Sequence, residues 1–246
     1  MDPEKEAIGD RYHRETRYRR GSMSRRELDW AGRPSLCKEA PFSLKRFPLP
    51  ALEYLEGGSL WQGLAERRSN RSFSSQPLPF SSLARLLWAT QGITGRTQGF
   101  EFRAAPSAGA LYPIETYLVL NRVEGLAAGV YHYSVKETSL VLLREGSLGR
   151  DLARAGLGQE MLAEAACVFV WTAMVARSKW KYRERAYRYI YMDAGHVGQN
   201  LYLAATGLGL GCCTVGAFFD GEEDRIVGAD GEREISLYLG AVGPMD

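Results

Sequence analysis

The sequence predicts an α+β protein in which helices flank a mostly antiparallel sheet. Three features support this fold class: several short apolar runs typical of strands, two such runs close enough to form a hairpin, and one long segment with apolar residues at helical spacing. With 246 residues, 45% of them hydrophobic, the chain can bury a sizeable core in one large domain or two small ones. This composition excludes a disordered chain.

Most of the predicted strands are short apolar runs bounded by turn residues. Residues 130–135 and 140–143 form a predicted hairpin, which makes the adjoining part of the sheet antiparallel. Residues 167–172 are apolar almost throughout, as in a central strand that is buried on both faces. The remaining strands are predicted at 114–120, 212–215 and 234–242.

The helices are predicted from apolar spacing and from residues that begin or end a helix. Ser59 and Gln62 fit a Ser-x-x-Gln capping box, which begins a helix that ends near Arg67. A second helix is predicted over 80–91, and it is expected to end at a left-handed Gly92. The other helices are predicted over 148–155, 159–165, 222–227 and, as the longest, over 183–206 with Gly207 as its end.

The overall charge of the protein does not indicate a particular class of binding partner. The chain has 31 Lys and Arg residues against 29 Asp and Glu residues, a formal net charge of +2. Proteins that bind nucleic acid usually carry a much stronger basic excess, so the sequence argues against a nucleic-acid partner.

The cysteines and histidines show no metal or disulfide pattern. The four cysteines have irregular spacing, and the three histidines lie far apart, so we predict no metal site and no disulfide framework. The N-terminal residues lack the apolar core of a signal peptide, and no run of eighteen uncharged apolar residues occurs. These observations predict a soluble cytoplasmic protein that does not bind a membrane.

Residues 1–55 are predicted to form an extended arm that packs on the body of the protein, residues 56–246. The arm is rich in arginine and lacks hydrophobic periodicity. It nevertheless contains aromatic residues that a solvated tail does not need, namely Tyr12, Trp30, Phe42 and Phe47. The alternative is a disordered leader before about residue 25.

Three arginines and two serines lie where the first helix of the body gives way to a loop. Guanidinium groups bind phosphate oxygens in bidentate pairs, and a serine hydroxyl adds another donor. The segment is therefore a candidate site for a phosphate ester, with Arg67, Arg68, Ser69 and Arg71 as ligands. The alternative is a cationic helix end that offsets the helix dipole.

Residues 105–113 form a loop of mostly small or rigid residues. Such residues allow main-chain groups to approach a flat ring or a phosphate closely, although a plain connecting loop is an equally good interpretation. A glycine-rich segment at 207–211 follows a helix and leads into a strand, which is the reverse of the order in a dinucleotide-binding motif. The segment is therefore not a dinucleotide-binding motif.

A basic and aromatic run at 179–189 leads into the longest predicted helix. Lys181 and Tyr182 in this run are a candidate acid/base pair, because the proton affinity of a phenol beside an ammonium group can be tuned. The alternatives are a solvated helix face and the rim of a site for a charged ligand.

The motifs taken together resemble the SagB-type dehydrogenase branch of the nitroreductase superfamily. The resemblance covers about residues 60–243, and it depends on the order of RRSNRSF, LARLLWATQGIT, APSAGALYPIETYLVL, AAGVYHY and KYRERAYRYIYMDAGHVGQNLYLAATGLGLGCCTVGAFFD. It implies an α+β sandwich and a flavoprotein homodimer with FMN bound at the subunit interface.

The resemblance also implies roles for particular residues. The motif at 67–73 matches the family's cofactor anchor, which supports the phosphate interpretation. The other implied cofactor-binding residues are Pro106, Ser107, Ala108, Gly109, Thr214, Val215, Gly216 and Ala217. Members that oxidise azolines in peptides have an adjacent Lys-Tyr pair, so Lys181 and Tyr182 are the implied catalytic residues.

The chain departs from the family pattern at two places. It has Ala110, Leu111, Tyr112 and Pro113 where ordinary nitroreductases tend to have Asn-x-Gln-Pro, which favours the dehydrogenase branch. It has no basic residue after Arg233 to match the C-terminal Lys or Arg that many relatives direct at the phosphate. Phosphate binding here must therefore depend more on the motif at 67–71.

The expected function is that of an FMN-dependent oxidoreductase. The leading hypothesis is a dehydrogenase that acts on a heterocycle, such as an azoline in a modified peptide, by hydride transfer to flavin N5. One alternative is a reductase of nitro compounds or quinones that uses NAD(P)H as the electron donor. Another is a flavin-binding subunit of a peptide-modification complex that has no activity of its own.

Overall fold

The computed structural model describes residues 8–17, 27–52, 58–97 and 99–245. Two short 3-10 turns lie at Ala108–Ala110 and Arg183–Arg185. The helices are α1 (Ile8–Glu15), α2 (Leu60–Glu66), α3 (Phe80–Gln91), α4 (Gly149–Ala155), α5 (Met161–Glu164), α6 (Val175–Tyr182), α7 (Ala186–Gly207) and α8 (Asp220–Val227). The strands are β1 (Arg46–Pro48), β2 (Ile93–Thr97), β3 (Phe100–Arg103), β4 (Ile114–Leu120), β5 (Gly129–Ser134), β6 (Ser139–Glu145), β7 (Cys167–Met174), β8 (Leu210–Val215) and β9 (Glu234–Pro244).

Seven strands form one sheet in the order β1-β6-β5-β4-β7-β9-β8, and all neighbouring pairs are antiparallel. The α+β prediction is therefore confirmed. Successive side chains of β7 face opposite sides of the sheet. Phe169 and Trp171 pack in one core with α3 and α7, whereas Val168 and Val170 pack in a second core with α4, α5 and α8.

The hairpin β2–β3 was not among the predicted elements. It lies outside the main sheet, and most of its residues are exposed or half-buried, so apolar alternation gives little signal for it. An exposed cross-strand ion pair between Arg96 and Glu101 joins its strands. Gly99 has a φ of 76° at the turn, a conformation that glycine adopts readily.

The long helix begins and ends at other residues than predicted. The expected helix over 183–206 begins only at Ala186. Arg183 has a φ of 51° and a ψ of −134°, which ends α6 at Tyr182, and the 3-10 turn Arg183–Arg185 lies between α6 and α7. Gly207 is still helical, and the left-handed residue is Gly209. A periodicity of basic and aromatic residues that continues through 179–189 gives no sign of this break.

Gly92 is extended, with a φ of −61° and a ψ of 145°, so the prediction of a left-handed helix end was wrong there. The position still requires glycine for a different reason. A Cβ atom on Gly92 would lie only 2.4 Å from Trp88 Cδ1 and 2.6 Å from the Trp88 carbonyl oxygen. The close approach of the chain to the Trp88 ring therefore excludes a side chain.

The N-terminal arm contains regular structure, so the prediction that it is extended was wrong in part. Helix α1 contacts the body through Tyr12, and β1 adds an edge strand to the sheet, where Phe47 packs on Tyr131. Trp30 contacts Trp180, but Phe42 is 95% exposed.

The proposed boundary between arm and body lies beside residues 53–57, which are outside the described ranges. The alternative of a leader before residue 25 also falls largely outside them, because residues 1–7 and 18–26 are not described. The division of the chain at residue 55 therefore stays a prediction.

The second core contains an acidic side chain without a partner. Glu223 on α8 is fully buried, and neither of its carboxylate oxygens has a hydrogen-bond partner in the described part of the chain. Burial, with a smaller contribution from the charge of Asp224, raises the pKa of the Glu223 carboxyl from 4.5 to about 8. Between pH 4.5 and pH 8 the folded state therefore binds more protons at Glu223 than the unfolded state, and this group makes the protein less stable as the pH rises.

We predict that Glu223→Gln removes this part of the pH dependence. Relative to the wild type, the free energy of unfolding of the variant should rise by roughly 2–4 kcal/mol between pH 4.5 and pH 8.5. Urea unfolding at several pH values measures the difference. Glu222→Gln, at the exposed neighbouring position, is the matched control and should follow the wild type. Parallel pH dependences of Glu223→Gln and the wild type would contradict the assignment.

Candidate active site

The arginines after α2 point in different directions. The chain leaves the helix at Arg67, whose guanidinium carbon lies 5.1 Å from the centroid of the Tyr202 ring. Arg68 turns back to the helix, and its Nη1 donates to the carbonyl oxygens of Ala65 (3.0 Å) and Arg67 (2.8 Å). Arg68 thus binds unpaired carbonyls at the helix end. Arg71 is exposed and makes one long hydrogen bond of 3.5 Å to the Ser69 carbonyl oxygen.

Hydroxyl groups connect the arginine segment to β8. The hydroxyls of Ser69 and Tyr202 lie 2.9 Å apart, and the Thr214 backbone N–H donates to Tyr202 Oη at 2.9 Å. Thr214 Oγ1 in turn lies 2.5 Å from Tyr238 Oη. The Tyr202 hydroxyl therefore connects Ser69 of the arginine segment to Thr214 at the end of β8.

The segment after β8 presents mainly its backbone to solvent. Val215 is buried and completes the strand, whereas Gly216 and Ala217 are exposed. We call residues 214–217 together with Arg67, Arg68, Ser69 and Arg71 the arginine cluster.

A buried aspartate shapes the small-residue loop. Ser107 Oγ donates to Asp193 Oδ2 at 2.6 Å, and the Ala108 backbone N–H donates to Asp193 Oδ1 at 3.2 Å. Ser107 Oγ also accepts the backbone N–H of Tyr112 at 3.0 Å. The Ser107 hydroxyl thus closes the loop on itself. Sequence reasoning missed Asp193, although an acidic residue on the apolar face of a long helix was a usable signal.

The carboxyl of Asp193 is only 4% exposed. Burial raises its pKa above the ordinary value, and the hydrogen bonds from Ser107 and Ala108 oppose the shift. The two carboxylate oxygens of Asp193 together accept both hydrogen bonds, so Asp193 anchors the loop to α7.

The structure brings Lys181 and Tyr182 against the small-residue loop at Gly109. A Cβ atom on Gly109 would lie 2.7 Å from Tyr182 Oη and 3.0 Å from Lys181 Nζ, so both polar atoms approach the loop backbone closely. Gly109 also has a φ of 67°, which favours glycine. We call the residues at 106–109 with Lys181 and Tyr182 the lysine–tyrosine cluster.

Backbone strain is concentrated around the lysine–tyrosine cluster. Ala110, Tyr112 and Arg183 all have positive φ values, of 51°, 43° and 51°. Non-glycine residues rarely adopt such conformations, and these conformations persist only where surrounding contacts enforce them. Such strain is common at functional sites and was not visible in the sequence.

Helix α7 separates the two clusters. Asp193 contacts the lysine–tyrosine cluster and Tyr202 contacts the arginine cluster. They are nine residues apart, which is two and a half helical turns, so their side chains leave the helix on opposite sides. Within one copy of the chain, the two clusters therefore contact opposite sides of α7.

A buried ionic group lies behind the lysine–tyrosine cluster. Glu115 on β4 accepts from His132 Nε2 at 2.8 Å and from Arg177 Nη2 at 2.5 Å, and all three side chains are buried. Burial alone would raise the pKa of Glu115, but the His132 hydrogen bond and the Arg177 charge outweigh it and hold the pKa at about 2. Sequence reasoning missed this group, because its members are 17 or more positions apart.

The described ranges contain neither a metal-binding cluster nor a membrane-spanning helix. No group of three or more His, Cys, Asp or Glu side chains has a geometry suited to a metal ion. Among the same residues, no helix has the length and apolarity that crossing a bilayer requires.

The fold has solved counterparts. A crystal structure of a putative nitroreductase from Anabaena variabilis matches with a TM-score of 0.72 and 30% identity, covering 85% of this chain and 45% of that one. A second, from Ralstonia eutropha, has a TM-score of 0.71 and 26% identity, covering 87% of this chain and 94% of that one. The architecture is thus the nitroreductase sandwich that the resemblance implied.

Sequence comparison gives the same assignment. Residues 64–243 match the model of the Nitroreductase family. A Methanocaldococcus jannaschii protein named Putative nitroreductase MJ1384 is 39% identical over 195 residues, which are 79% of this chain and 94% of that protein. The chain belongs to the nitroreductase family, whose oxidoreductases generally bind FMN.

Two shorter matches support the SagB-type branch. The trifolitoxin-processing protein TfxB of Rhizobium leguminosarum bv. trifolii is 38% identical over 120 residues, and the microcin B17-processing protein McbC of Escherichia coli is 36% identical over 115 residues. Each match covers 44% of this chain, but only 30% of TfxB and 42% of McbC.

We predict that Tyr202→Phe destabilises the protein by about 1–3 kcal/mol, because the half-buried Thr214 backbone N–H and the Ser69 hydroxyl both lose their partner. Tyr131→Phe is the matched control, since it loses a single hydrogen bond to the Ala127 carbonyl oxygen and should cost about 0.5–1.5 kcal/mol. Chemical denaturation measures both. A Tyr202→Phe variant as stable as the wild type would show that the hydroxyl network does not hold the arginine cluster.

Proposed function

We propose that this protein is an FMN-dependent dehydrogenase that oxidises a heterocycle, such as an azoline in a modified peptide. The observation that supports this most strongly is the position of Lys181 Nζ and Tyr182 Oη against Gly109, within the loop that resembles the family's flavin-binding loop. Two titratable side chains at that place can accept or donate a proton beside a bound ring.

The arginine cluster fits the phosphate end of FMN. Among the described residues, no carboxylate forms an ion pair with Arg67 or Arg71, so both guanidinium groups can bind an anion. Ser69 adds a hydroxyl donor. We expect Arg68 to contribute less, because its Nη1 already donates to carbonyl oxygens at the end of α2.

The small residues fit the ring end of FMN. Ala108, Gly109, Gly216 and Ala217 carry at most a methyl group, so a flat ring could approach the backbone at both segments. The hydroxyl of Ser107 donates to Asp193, so we expect Ser107 to act through the shape of the loop.

We propose that two copies of the chain complete one site. The two clusters lie on opposite sides of α7, so the arginine cluster of one copy and the lysine–tyrosine cluster of the other would enclose the cofactor together. The exposed apolar face of α2 also favours a dimer: Leu60, Trp61 and Leu64 are 61%, 79% and 47% exposed. Apolar patches of this kind commonly mark interfaces between proteins.

Oxidation of an azoline to an azole removes a hydride and a proton from the ring. FMN, when bound, supplies the hydride acceptor at N5. The Lys181–Tyr182 pair is the proposed base: Tyr182 Oη takes the proton, and the positive charge of Lys181 stabilises the phenolate oxygen that does so. Gly109 leaves room for both side chains at the loop.

The relatives support a peptide substrate. McbC and TfxB, which each resemble part of this chain, are named for processing microcin B17 and trifolitoxin. The cysteines within the described ranges are free thiols, which agrees with the proposed cytoplasmic location.

A second candidate function is NAD(P)H-dependent reduction of nitro compounds or quinones. It is favoured by the 39% identity to the M. jannaschii protein, which extends over 94% of that protein. Stopped-flow mixing separates the candidates. Rapid bleaching of the flavin by NAD(P)H alone would support the reductase, and bleaching by an azoline peptide alone would support the dehydrogenase. A flavin spectrum unchanged by both would point to a subunit without activity of its own.

We predict that Arg71→Ala yields largely colourless protein, because loss of one charged phosphate ligand leaves the remaining ligands to compete with water. Arg68→Ala is the matched control and should remain yellow. Flavin content per protein after purification, together with FMN affinity, measures the effect. If both variants retain the wild-type flavin content, the phosphate assignment is wrong.

We predict that Lys181→Ala and Tyr182→Phe remain yellow and lose dehydrogenase activity by roughly 100-fold or more, since general bases typically contribute 10²–10⁴-fold. Rates per bound flavin with an azoline peptide measure this. Pale variants without FMN would mean that the pair binds the cofactor or stabilises the fold instead.

A further inference from the structure

The helix that carries Lys181 and Tyr182 is held by a part of the chain outside the matched family region. The family model begins at residue 64, whereas the N-terminal arm contacts α6 and the turn that follows it through its described segments 8–17 and 27–38. The arm makes these contacts at three points on α6 and on the turn after it, and each point is close to the Lys-Tyr pair.

The first point is Arg177, which is 3% exposed and lies one helical turn before Lys181. Its Nε donates to the Ser35 carbonyl oxygen of the arm at 2.7 Å, and its Nη1 donates to the Tyr112 carbonyl oxygen at 2.9 Å. Its third partner is Glu115, 2.5 Å from Nη2. A planar guanidinium with three fixed partners allows α6 little freedom to slide against the loop.

The second point is Trp180, which is adjacent to Lys181. Its indole N–H donates to the Asp29 carbonyl oxygen at 2.6 Å, and its ring packs edge-on against Trp30. The guanidinium of Arg33 lies 5.6 Å from the centroid of the Trp180 ring and 5.8 Å from that of Trp30.

The third point is the strained turn after Tyr182. Tyr12 Oη donates to the Glu184 carbonyl oxygen at 3.3 Å and accepts the Arg188 backbone N–H at 3.0 Å. Arg185 Nη1 donates to the Thr16 carbonyl oxygen at 2.6 Å. A positive φ at a non-glycine residue such as Arg183 costs free energy that neighbouring contacts must offset. Helix α1 provides several of these contacts.

We propose that the N-terminal arm is a strap that positions the Lys181–Tyr182 pair, and that Arg177 is the positioning residue through which the strap fixes α6 against the small-residue loop. In this proposal Arg177 does not contact the reacting atoms. It acts indirectly, through its hydrogen bond to the Tyr112 carbonyl oxygen and through the position of α6. The expected effect on turnover rests on the proposed function, but the position of Tyr182 can be measured without turnover.

The test uses the full chain with bound FMN and three variants. Arg177→Lys keeps the charge but removes the forked donors, and Tyr12→Phe removes only the hydroxyl at the strained turn. Arg46→Lys is the matched control, because Arg46 also binds several arm carbonyls, those of Ala40, Pro41, Phe42 and Leu44, but does not contact α6. For fluorine NMR, separate samples of the wild type and of each variant carry 3-fluorotyrosine in place of Tyr182, and kcat is measured on the unlabelled proteins.

We expect the two strap variants to lower kcat on an azoline peptide by roughly 10- to 100-fold per bound flavin while KM and flavin content stay near the wild type, since small misplacements of catalytic groups have effects of this size. Their fluorine resonance should shift or split. The Arg46→Lys control should retain both the wild-type kcat and the single wild-type resonance.

Unchanged kcat and an unchanged resonance in both strap variants would overturn the proposal. A lower melting temperature with an unchanged kcat and resonance would also overturn it, because the arm would then only stabilise the fold. If Arg177→Lys does not fold, Tyr12→Phe decides the question alone. If the wild type does not oxidise the peptide, the proposed function fails, and the fluorine resonance by itself supports or overturns the strap.

Discussion

The close approach of Lys181 and Tyr182 to Gly109 is the constraint on which the rest of the site depends. The loop can accept these two side chains only because Gly109 has no Cβ atom. Asp193 holds the loop from α7 through Ser107 and Ala108. Buried polar groups require such partners, so the loop and the two helices around it share one set of hydrogen bonds.

Helix α7 organises the site by keeping its two parts separate. Tyr202 connects one side of the helix to the arginine cluster, and Asp193 connects the other side to the lysine–tyrosine cluster. Neither cluster alone contains both the arginines proposed to bind the phosphate and the Lys181–Tyr182 pair. A site completed by a second copy of the chain accounts for this separation, and it gives the exposed apolar face of α2 a role.

Burial explains which parts of the structure the sequence could predict. The core strand from Cys167 was predicted because its side chains are buried on both faces and leave an almost continuous apolar run. The strand Ile114–Leu120 was also predicted, because it too is buried on both faces and only Glu115 and Thr116 interrupt its apolar residues. The turn at Arg183 was not predictable, because contacts with an arm about 170 positions away enforce it. Likewise, the different partners of Arg68 and Arg71 and the group around Glu115 depend on contacts that appear only in three dimensions.

The central claim is that guanidinium groups after α2 hold the phosphate of a flavin nucleotide. Titration of the flavin-free protein with FMN and with riboflavin, which lacks the phosphate, tests this claim most directly. The account predicts saturable binding of FMN and at least about tenfold weaker binding of riboflavin, because riboflavin cannot form the charge-assisted hydrogen bonds. Equal affinity for the two flavins, or no binding of either, would contradict it.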